Sequence, residues 1–288
     1  MVFSPEMLRD IARLAELSYY NQEKINDLFN IENSNNEQVN NEQVNKDENR
    51  NSCVLKNCNC PILFSSDKDC QVYVCKYNNN LAVCFRGTES IRDALTDLNI
   101  IRVKMEIPNL LKKEWPKVHF GFLNQFNTVK DNIDNKIKEY VEDKDIEDKN
   151  KNIIFNGHSL GGGLSTLASV YFGYKYPNLN IHCVTFGSPR VGSPYFIKLF
   201  DKVVDESYRF VNDNDPVPLV PAPLRFRHVR GCKWLYQDQV LNESSGWRWW
   251  RFIKNTLLSI TGMGYNALND HKCAEYISDL DFFEKDHL

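Results

Sequence analysis

The sequence predicts an α/β fold, with a mostly parallel central sheet and helices on both faces. Short apolar runs typical of strands alternate with stretches long enough for helices of ten or more residues. Hydrophobic residues make up 42% and charged residues 25% of the 288 residues, which is the composition of an ordinary globular protein. No apolar run reaches the roughly 20 residues that span a bilayer, which excludes a polytopic membrane protein.

The elements follow one another in the order that this fold class requires. Residues 1–20 predict a helix with Ser4 as its N-cap and Pro5 at its first position. Residues 30–52, in which Asn-Glu-Gln-Val-Asn occurs twice, predict a disordered insertion. We expect a single domain over residues 1–288. Strands are predicted at 71–77, 81–85, 151–155, 181–186, 208–211 and 229–237, and helices at 124–141, 161–176 and 193–204.

Charge and cysteine content bear on the partners and the cellular location of the protein. The 35 basic and 38 acidic residues give a net charge of −3, so no global positive field exists to hold nucleic acid. Charged residues interrupt any apolar signal-peptide core within the first 20 residues. The nine cysteines form no C-x-x-C pair, which favours reduced thiols and leaves a local disulfide or metal site as the alternative. These features predict a cytoplasmic protein, with peripheral membrane contact left open.

A nucleophile elbow is the strongest chemical signal. The apolar run at 153–155 leads into Gly157-His158-Ser159-Leu160-Gly161 and then into a predicted helix. Such a turn is tight and strained, and a Cβ at either flanking glycine would clash across it. The turn aims the hydroxyl of Ser159 toward a helix N-terminus, where N–H groups stabilise negative charge. We therefore predict Ser159 as a catalytic nucleophile.

A serine nucleophile requires a base and an orienting acid. In proteins with this elbow the acid and then the histidine follow the serine along the chain. Asp213 and Asp215 directly follow a predicted strand, at the sheet edge where such sites are built. His228 and His271 are both candidates for the base. The residue pattern alone leaves these alternatives open.

Five segments, occurring in order between about Gln71 and Tyr276, resemble the class 3 lipases, the fungal-lipase-like branch of the α/β-hydrolases. The resemblance implies an α/β-hydrolase fold, with Asp215 as the acid and His271 as the base. His228 and Asp213 are then expected to be a structural strand histidine and a solvated turn residue. The segments are Cys84-Phe85-Arg86-Gly87-Thr88, Val118-His119-Phe120-Gly121-Phe122, the run Asn156 to Ser165, the run Thr185 to Gly192, and Asn214-Asp215-Pro216-Val217-Pro218.

An oxyanion hole is predicted from two stretches of backbone. Leu160, the residue after the nucleophile, is expected to donate its backbone N–H. The resemblance implies that Thr88 supplies both its N–H and its hydroxyl, and that Asp97 orients that hydroxyl. Arg86 and His119 are expected to be structural groups around the site.

A lid is predicted at residues 90–98, where related lipases carry a short helix. Ile91, Leu95 and Leu98 form one apolar stripe there. Ala94 replaces an aromatic residue common in the fungal enzymes, which argues against lid opening at an interface.

Residues 244–266 predict a tryptophan-rich amphipathic insertion directly before His271. Trp249, Trp250 and Phe252 accompany a cationic face, as in helices that lie at lipid interfaces. A helix packed on the core is the alternative.

These predictions combine into one function. We expect an acylglycerol lipase that hydrolyses lipid esters through a Ser-Asp-His triad and an acyl-enzyme. Phospholipase A1, a lipid acyltransferase and a non-catalytic lipase-like scaffold are the alternatives. The expected partner is a lipid ester substrate, with peripheral contact to a membrane or lipid droplet, no nucleic acid and no cofactor or metal. The sequence does not determine the oligomeric state.

Overall fold

A computed structural model describes residues 3–26, 58, 62–65, 70–88, 101–143, 151–213, 215–236, 239–242 and 269–280. The predicted insertions at 30–52 and 244–266 and the predicted lid lie outside these residues. No helix in the described ranges is both long enough and apolar enough to cross a bilayer.

The described strands form a large central sheet and a separate two-stranded ribbon. The ribbon pairs β4 (Arg102–Lys104) with β5 (Lys117–His119) in antiparallel register. The strands of the central sheet are β1 (Ile62–Ser65), β2 (Gln71–Tyr77), β3 (Asn80–Phe85), β6 (Asn152–His158), β7 (Asn180–Phe186), β8 (Glu206–Asn212), β9 (Cys232–Tyr236) and β10 (Gln239–Asn242).

Within the described residues, the central sheet has the order β1-β2-β3-β6-β7-β8-β9-β10. The five middle strands, from β3 to β9, run parallel to one another, and β1, β2 and β10 are added in antiparallel pairs at the edges. The carboxyl ends of the parallel strands therefore meet at one edge, where ligand sites of such sheets form. The prediction of a mostly parallel sheet is confirmed.

Helices cover both faces of this sheet, as predicted. The first face packs against α2 (Phe120–Glu142), α3 (Leu160–Lys175) and α4 (Pro194–Val203) in one apolar cluster. The opposite face packs against α1 (Pro5–Leu17) and α5 (Cys273–Leu280) in a second cluster. Because strands buried on both faces cannot alternate with polar residues, the sheet strands read as nearly continuous apolar runs.

Helix α1 begins as the sequence predicts. The hydroxyl of Ser4 accepts the backbone N–H of Met7 at 3.2 Å, and Pro5 occupies the first helical position. The apolar face of the helix is buried at Leu8 and Ile11. Its packing against the sheet places Tyr19, two residues beyond the helix, near the carboxyl end of β6, where its hydroxyl bonds to His158.

Helix α2 begins four residues before its predicted start. His119 caps it, since the ring Nδ1 of His119 accepts the backbone N–H of Phe122 at 3.4 Å. Histidine is not among the common N-cap residues, so sequence rules do not detect this boundary. Helix α5 and the strands β1, β4, β5 and β10 were not predicted, because each is too short to display a clear period.

Candidate active site

Ser159 occupies a strained turn between β6 and α3. Its φ of 57° and ψ of −126° lie in a region that residues with a side chain rarely adopt. The backbone N–H of Ser159 donates to the carbonyl of Phe186 at 2.9 Å, which ties the turn to the end of β7. The predicted elbow is therefore present in the backbone geometry.

The two flanking glycines are required by close backbone contacts. A Cβ on Gly157 would lie 2.5 Å from the carbonyl carbon of Gly161, as the sequence predicts. A Cβ on Gly161 would instead meet the end of β3, 2.1 Å from the carbonyl oxygen of Phe85. The second glycine thus lets the helix start approach the loop that follows β3.

Asp215 and His271 form a buried hydrogen-bonded pair. The Nδ1–H of His271 donates to Oδ2 of Asp215 at 2.7 Å, and both side chains are fully excluded from solvent. Because Nδ1 carries the proton, Nε2 of a neutral His271 presents a lone pair. This Nε2 is buried and has no hydrogen-bond partner among the described residues. It is thus available to accept a proton.

Asp215 is held by further donors. Its Oδ1 accepts the backbone N–H of Val217 at 2.9 Å, and its Oδ2 also accepts the hydroxyl of Tyr276 at 2.5 Å. The same tyrosine hydroxyl accepts the backbone N–H of Asn212 at 3.0 Å. Tyr276 lies five residues beyond His271, and nothing in the neighbouring sequence signals its contact with Asp215.

The segment from Thr185 to Gly192 contributes two residues, Gly187 and Arg190, that support the surroundings of Asp215. Gly187 has a φ of +59°, and a Cβ there would lie 2.7 Å from Oδ2 of Asp215 and 2.9 Å from the ring of His271. Since Phe186 accepts the N–H of Ser159, this backbone lies between the serine and the acid–base pair. Arg190 Nη1 donates to the carbonyl of Pro221 at 2.9 Å and to that of Leu219, which fastens the loop after Asp215.

The alternative acid and base lie in other hydrogen-bonding environments. The Nε2–H of His228 donates to the carbonyl of Pro218 at 2.6 Å. The backbone N–H of Asp213 donates to Leu235 and its carbonyl accepts the indole N–H of Trp234 at 3.3 Å. The Asp215–His271 pair is the combination that the fold brings together.

The two predicted oxyanion donors belong to segments that lie beside Ser159. Leu160 is the first residue of α3, and N–H groups in the first turn of a helix have no acceptor within it. Thr88 is half-buried and follows Gly87, at which a Cβ would lie 3.2 Å from the Cβ of Ser159. The remaining predicted residues, Asp97, Trp249, Trp250 and Phe252, lie outside the described residues.

A second histidine, His158, lies directly against His271. The ring of His158 stacks at a tilt on the ring of His271, with 4.5 Å between their centroids, and Tyr19 hydrogen-bonds to its other side. Burial holds the pKa of His158 well below its ordinary value, with the neighbouring His271 as a smaller cause, so His158 is neutral. The sequence treats His158 only as the variable position of the elbow.

Known lipases are similar to this chain in sequence. A sequence description of the family Lipase (class 3) matches residues 82–224, about half of the chain. The chain belongs to the class 3 lipase family. This class 3 lipase is 30% identical to a secreted mono- and diacylglycerol lipase of Malassezia globosa over 58% of the chain and 54% of that relative. It is 29% identical to a secreted mono- and diacylglycerol lipase of Penicillium cyclopium, over 55% and 48%. It thus spans about half the length of these relatives.

Solved lipase structures share the fold. The class 3 lipase superposes on a triacylglycerol lipase, described as having a serine protease triad as its catalytic centre, with a TM-score of 0.53 and 26% identity. That match covers 64% of this chain and 72% of the other. A lipase of Rhizopus microsporus var. chinensis matches with a TM-score of 0.57 and 23% identity, over 82% and 76%. The α/β-hydrolase fold expected from the resemblance is confirmed.

The prediction of a cytoplasmic protein is wrong. The relatives from Malassezia globosa and Penicillium cyclopium are named secreted lipases, which indicates secretion rather than the cytoplasm. The prediction relied on the cysteines, read as reduced thiols, and on the charged residues within the first 20 positions. These residues belong to α1, whose buried side chains include Leu8 and Ile11, so their pattern reflects packing against the sheet rather than targeting.

Proposed function

We propose that this protein is an acylglycerol lipase, a serine carboxylic-ester hydrolase that acts on lipid esters. The observation that carries the proposal is the buried Asp215–His271 hydrogen bond, whose unpartnered Nε2 lies in the same site as the strained turn of Ser159. This combination of nucleophile, base and orienting acid is what acyl transfer requires. The named activities of the relatives support acylglycerols as the substrate class.

In the proposed reaction, Ser159 Oγ attacks the ester carbonyl while Nε2 of His271 accepts the hydroxyl proton. The tetrahedral intermediate then collapses as the imidazolium returns this proton to the departing alcohol. Water, deprotonated by the same Nε2, hydrolyses the acyl-enzyme and regenerates the serine. Asp215 keeps the proton of His271 on Nδ1 and stabilises the imidazolium.

The developing oxyanion takes donors from two elements in this proposal. The backbone N–H of Leu160 points from the start of α3, whose dipole favours negative charge. Thr88 supplies the second donor from the loop after β3, which the missing Cβ of Gly161 allows to approach. Each donor is expected to contribute about 10²–10³ in turnover.

The activity is tested by comparing the wild type with Ser159→Ala on p-nitrophenyl butyrate and on mono-, di- and triacylglycerols. A fluorophosphonate probe reports in parallel whether Ser159 is an activated nucleophile. We expect release of p-nitrophenol and fatty acid by the wild type and labelling that Ser159→Ala abolishes. Equal rates in the two proteins, or no turnover in either, would contradict the proposal. Product analysis with added glycerol separates hydrolysis from acyl transfer.

Contact with a lipid surface is the proposed partner interaction. Besides the tryptophan-rich segment, three exposed apolar side chains support it: Ile101, Phe120 and Leu224 are 49%, 45% and 90% exposed. The N–H of Phe120 donates to the carbonyl of Ile101, and Arg102 reaches the carbonyl of Arg225, so these positions lie near one another. Apolar side chains among cations are typical of surfaces that bind lipid.

Flotation with phosphatidylcholine liposomes, with and without phosphatidylglycerol, tests this contact. Trp249→Ala/Phe252→Ala and Leu224→Ser are each expected to reduce the membrane-bound fraction. Leu241→Ser removes an exposed leucine from the edge strand β10 and serves as the matched control. Recovery unchanged by Trp249→Ala/Phe252→Ala and by Leu224→Ser, or lowered equally by Leu241→Ser, would contradict the proposed contact.

A further inference from the structure

Three groups behind the elbow form a continuous hydrogen-bonded row. The hydroxyl of Tyr19 lies 2.7 Å from Nδ1 of His158, and Nε2 of His158 lies 2.5 Å from the backbone carbonyl oxygen of His271. His158 is almost completely buried, at 4% exposure, and His271 is fully buried. The row therefore joins the segment after α1 to the backbone of the proposed base.

The direction of each hydrogen bond in the row follows from chemistry. A carbonyl oxygen only accepts, so Nε2 of His158 carries the proton and donates to His271. Since buried His158 is neutral, its Nδ1 has no proton and accepts from the Tyr19 hydroxyl. The carbonyl of His271 thus fixes the tautomer of His158, and the tyrosine hydroxyl stabilises that tautomer by donating to Nδ1.

Tyr19 also contacts the loop that carries Thr88. A Cβ on Gly87 would lie 2.2 Å from the Tyr19 hydroxyl oxygen and 2.7 Å from the carbonyl oxygen of His158. The guanidinium of Arg86 lies over the Tyr19 ring, 5.8 Å from its centroid. One side chain therefore touches both the proposed oxyanion loop and the residue that holds the base.

We propose that Tyr19 and His158 are positioning residues that set the geometry between Ser159 and His271, an assignment that rests on the proposed ester hydrolysis. His158 precedes Ser159 in the chain, so its side chain connects the backbone of the nucleophile to the backbone of the base through a single hydrogen bond. Proton transfer depends steeply on the distance between Ser159 Oγ and Nε2 of His271. A displacement of about 1 Å can cost 10²-fold in rate. Neither residue hydrogen-bonds to the reacting Nε2 of His271, which has no hydrogen-bond partner among the described residues.

Two substitutions at His158 separate positioning from packing. In His158→Gln the terminal amide nitrogen reaches the place of the imidazole Nε2 and keeps a donor for the His271 carbonyl. In His158→Asn the shorter amide reaches only the place of Nδ1. We expect His158→Asn to lower kcat on p-nitrophenyl butyrate by about tenfold or more with little change in KM, and His158→Gln to restore kcat to within about threefold of the wild type.

Tyr19→Phe tests the outer end of the row. It keeps the ring beneath Arg86 and removes only the hydroxyl, and we expect kcat to fall about three- to tenfold at constant KM. The matched control is Tyr77→Phe, since the hydroxyl of Tyr77 donates to Asp10 of α1 at 2.7 Å in a partly buried contact that includes neither Ser159, Asp215 nor His271. This control should reduce thermal stability and leave kcat unchanged. Because Tyr19 acts through His158, Tyr19→Phe/His158→Asn should be no slower than His158→Asn alone.

The outcomes are distinct. Wild-type kcat in Tyr19→Phe, equal kcat in His158→Asn and His158→Gln, or an equal loss of kcat in Tyr77→Phe would each overturn the positioning role. The melting temperature of every variant reports whether the protein remains folded. Fluorophosphonate labelling reports whether Ser159 remains accessible. A wild-type protein with neither turnover nor labelling would overturn the proposed hydrolysis itself, and this inference with it.

Discussion

The elbow around Ser159 and the acid–base arm around His271 are built in opposite ways. The elbow is local: β6, Ser159 and α3 are contiguous, and the clash that makes Gly157 necessary involves Gly161, only four residues away. The arm is assembled from distant segments. Asp215 meets His271 and Tyr276 only in the folded sheet, with α1 and α5 covering that face.

This difference shows which kind of site geometry can be predicted from a single sequence. A strained local turn leaves a fixed spacing of glycines, because the same few residues both create the strain and tolerate it. An arm held by long-range hydrogen bonds leaves no fixed spacing of residues in the sequence, because tertiary packing places each supporting donor. The predictions below probe the two regions separately.

Asp215→Asn should have the largest effect, on the arm. The amide would favour the His271 tautomer with its proton on Nε2, so we expect kcat to fall by about 10⁴ while the fold is retained. Steady-state kinetics on p-nitrophenyl butyrate with circular dichroism measure this. Asp213→Asn is the control, and it should keep near wild-type kcat. A greater loss in Asp213→Asn would reassign the acid.

Gly161→Ala should be the most destabilising change in the elbow. The new Cβ would meet the main chain of β3, 2.1 Å from the carbonyl oxygen of Phe85, which cannot move without disturbing the sheet. We expect a loss of about 3 kcal/mol in the free energy of unfolding, measured with urea. Gly163→Ala is the matched control, because its Cβ would meet only the ring of Phe122 at 3.2 Å. Equal stability of the two variants would contradict the elbow geometry.

Tyr276→Phe tests the arm while Ser159, Asp215 and His271 all remain in place. It leaves the N–H of Asn212 without its side-chain acceptor and removes a donor from Asp215. We expect a loss of stability of about 1–3 kcal/mol and a fall in kcat of about tenfold. Urea unfolding and kinetics measure the two effects. A variant that loses stability but keeps wild-type kcat would limit Tyr276 to a structural role.

The smallest effect is expected from His182 in β7, which lies outside both regions. Burial lowers the pKa of His182 to about 4. Between pH 6.5 and 4 the unfolded chain binds a proton here that the folded chain does not, so stability falls as the pH falls through this range. We expect His182→Gln to reduce the stability loss between pH 7.5 and 5 by about 1–2 kcal/mol. An unchanged pH slope in urea unfolding would contradict this.

The sequence reveals the fold class and the triad candidates, and the reason lies in particular residues. The long apolar strands and the capped start of α1 follow local rules that hold within a few residues. Ser159 is found by its local spacing. Asp215 and His271 were chosen over Asp213 and His228 only through a family resemblance, because chain order alone leaves both pairs possible.

The supporting residues could not be predicted for a physical reason. Tyr19, His158 and Tyr276 act through hydrogen bonds to partners that lie 139, 113 and 61 residues away. A tyrosine or histidine with such a partner looks in the sequence like any buried aromatic residue. The early start of α2 was missed for a different reason: its cap bonds to a residue only three positions away, but histidine is not among the common N-cap residues.

We expect helices α1 and α5 to give the molecule an uneven resistance to heat. Helices α1 and α5 pack on the same face of the sheet, and Tyr19 and Tyr276 belong to this layer. Partial openings that release one surface layer cost less free energy than unfolding of the whole molecule. Lifting this layer would withdraw both hydroxyls from His158 and Asp215 while the parallel strands remained paired. Turnover would then be lost at a lower temperature than the secondary structure, and regained on cooling without refolding of the sheet.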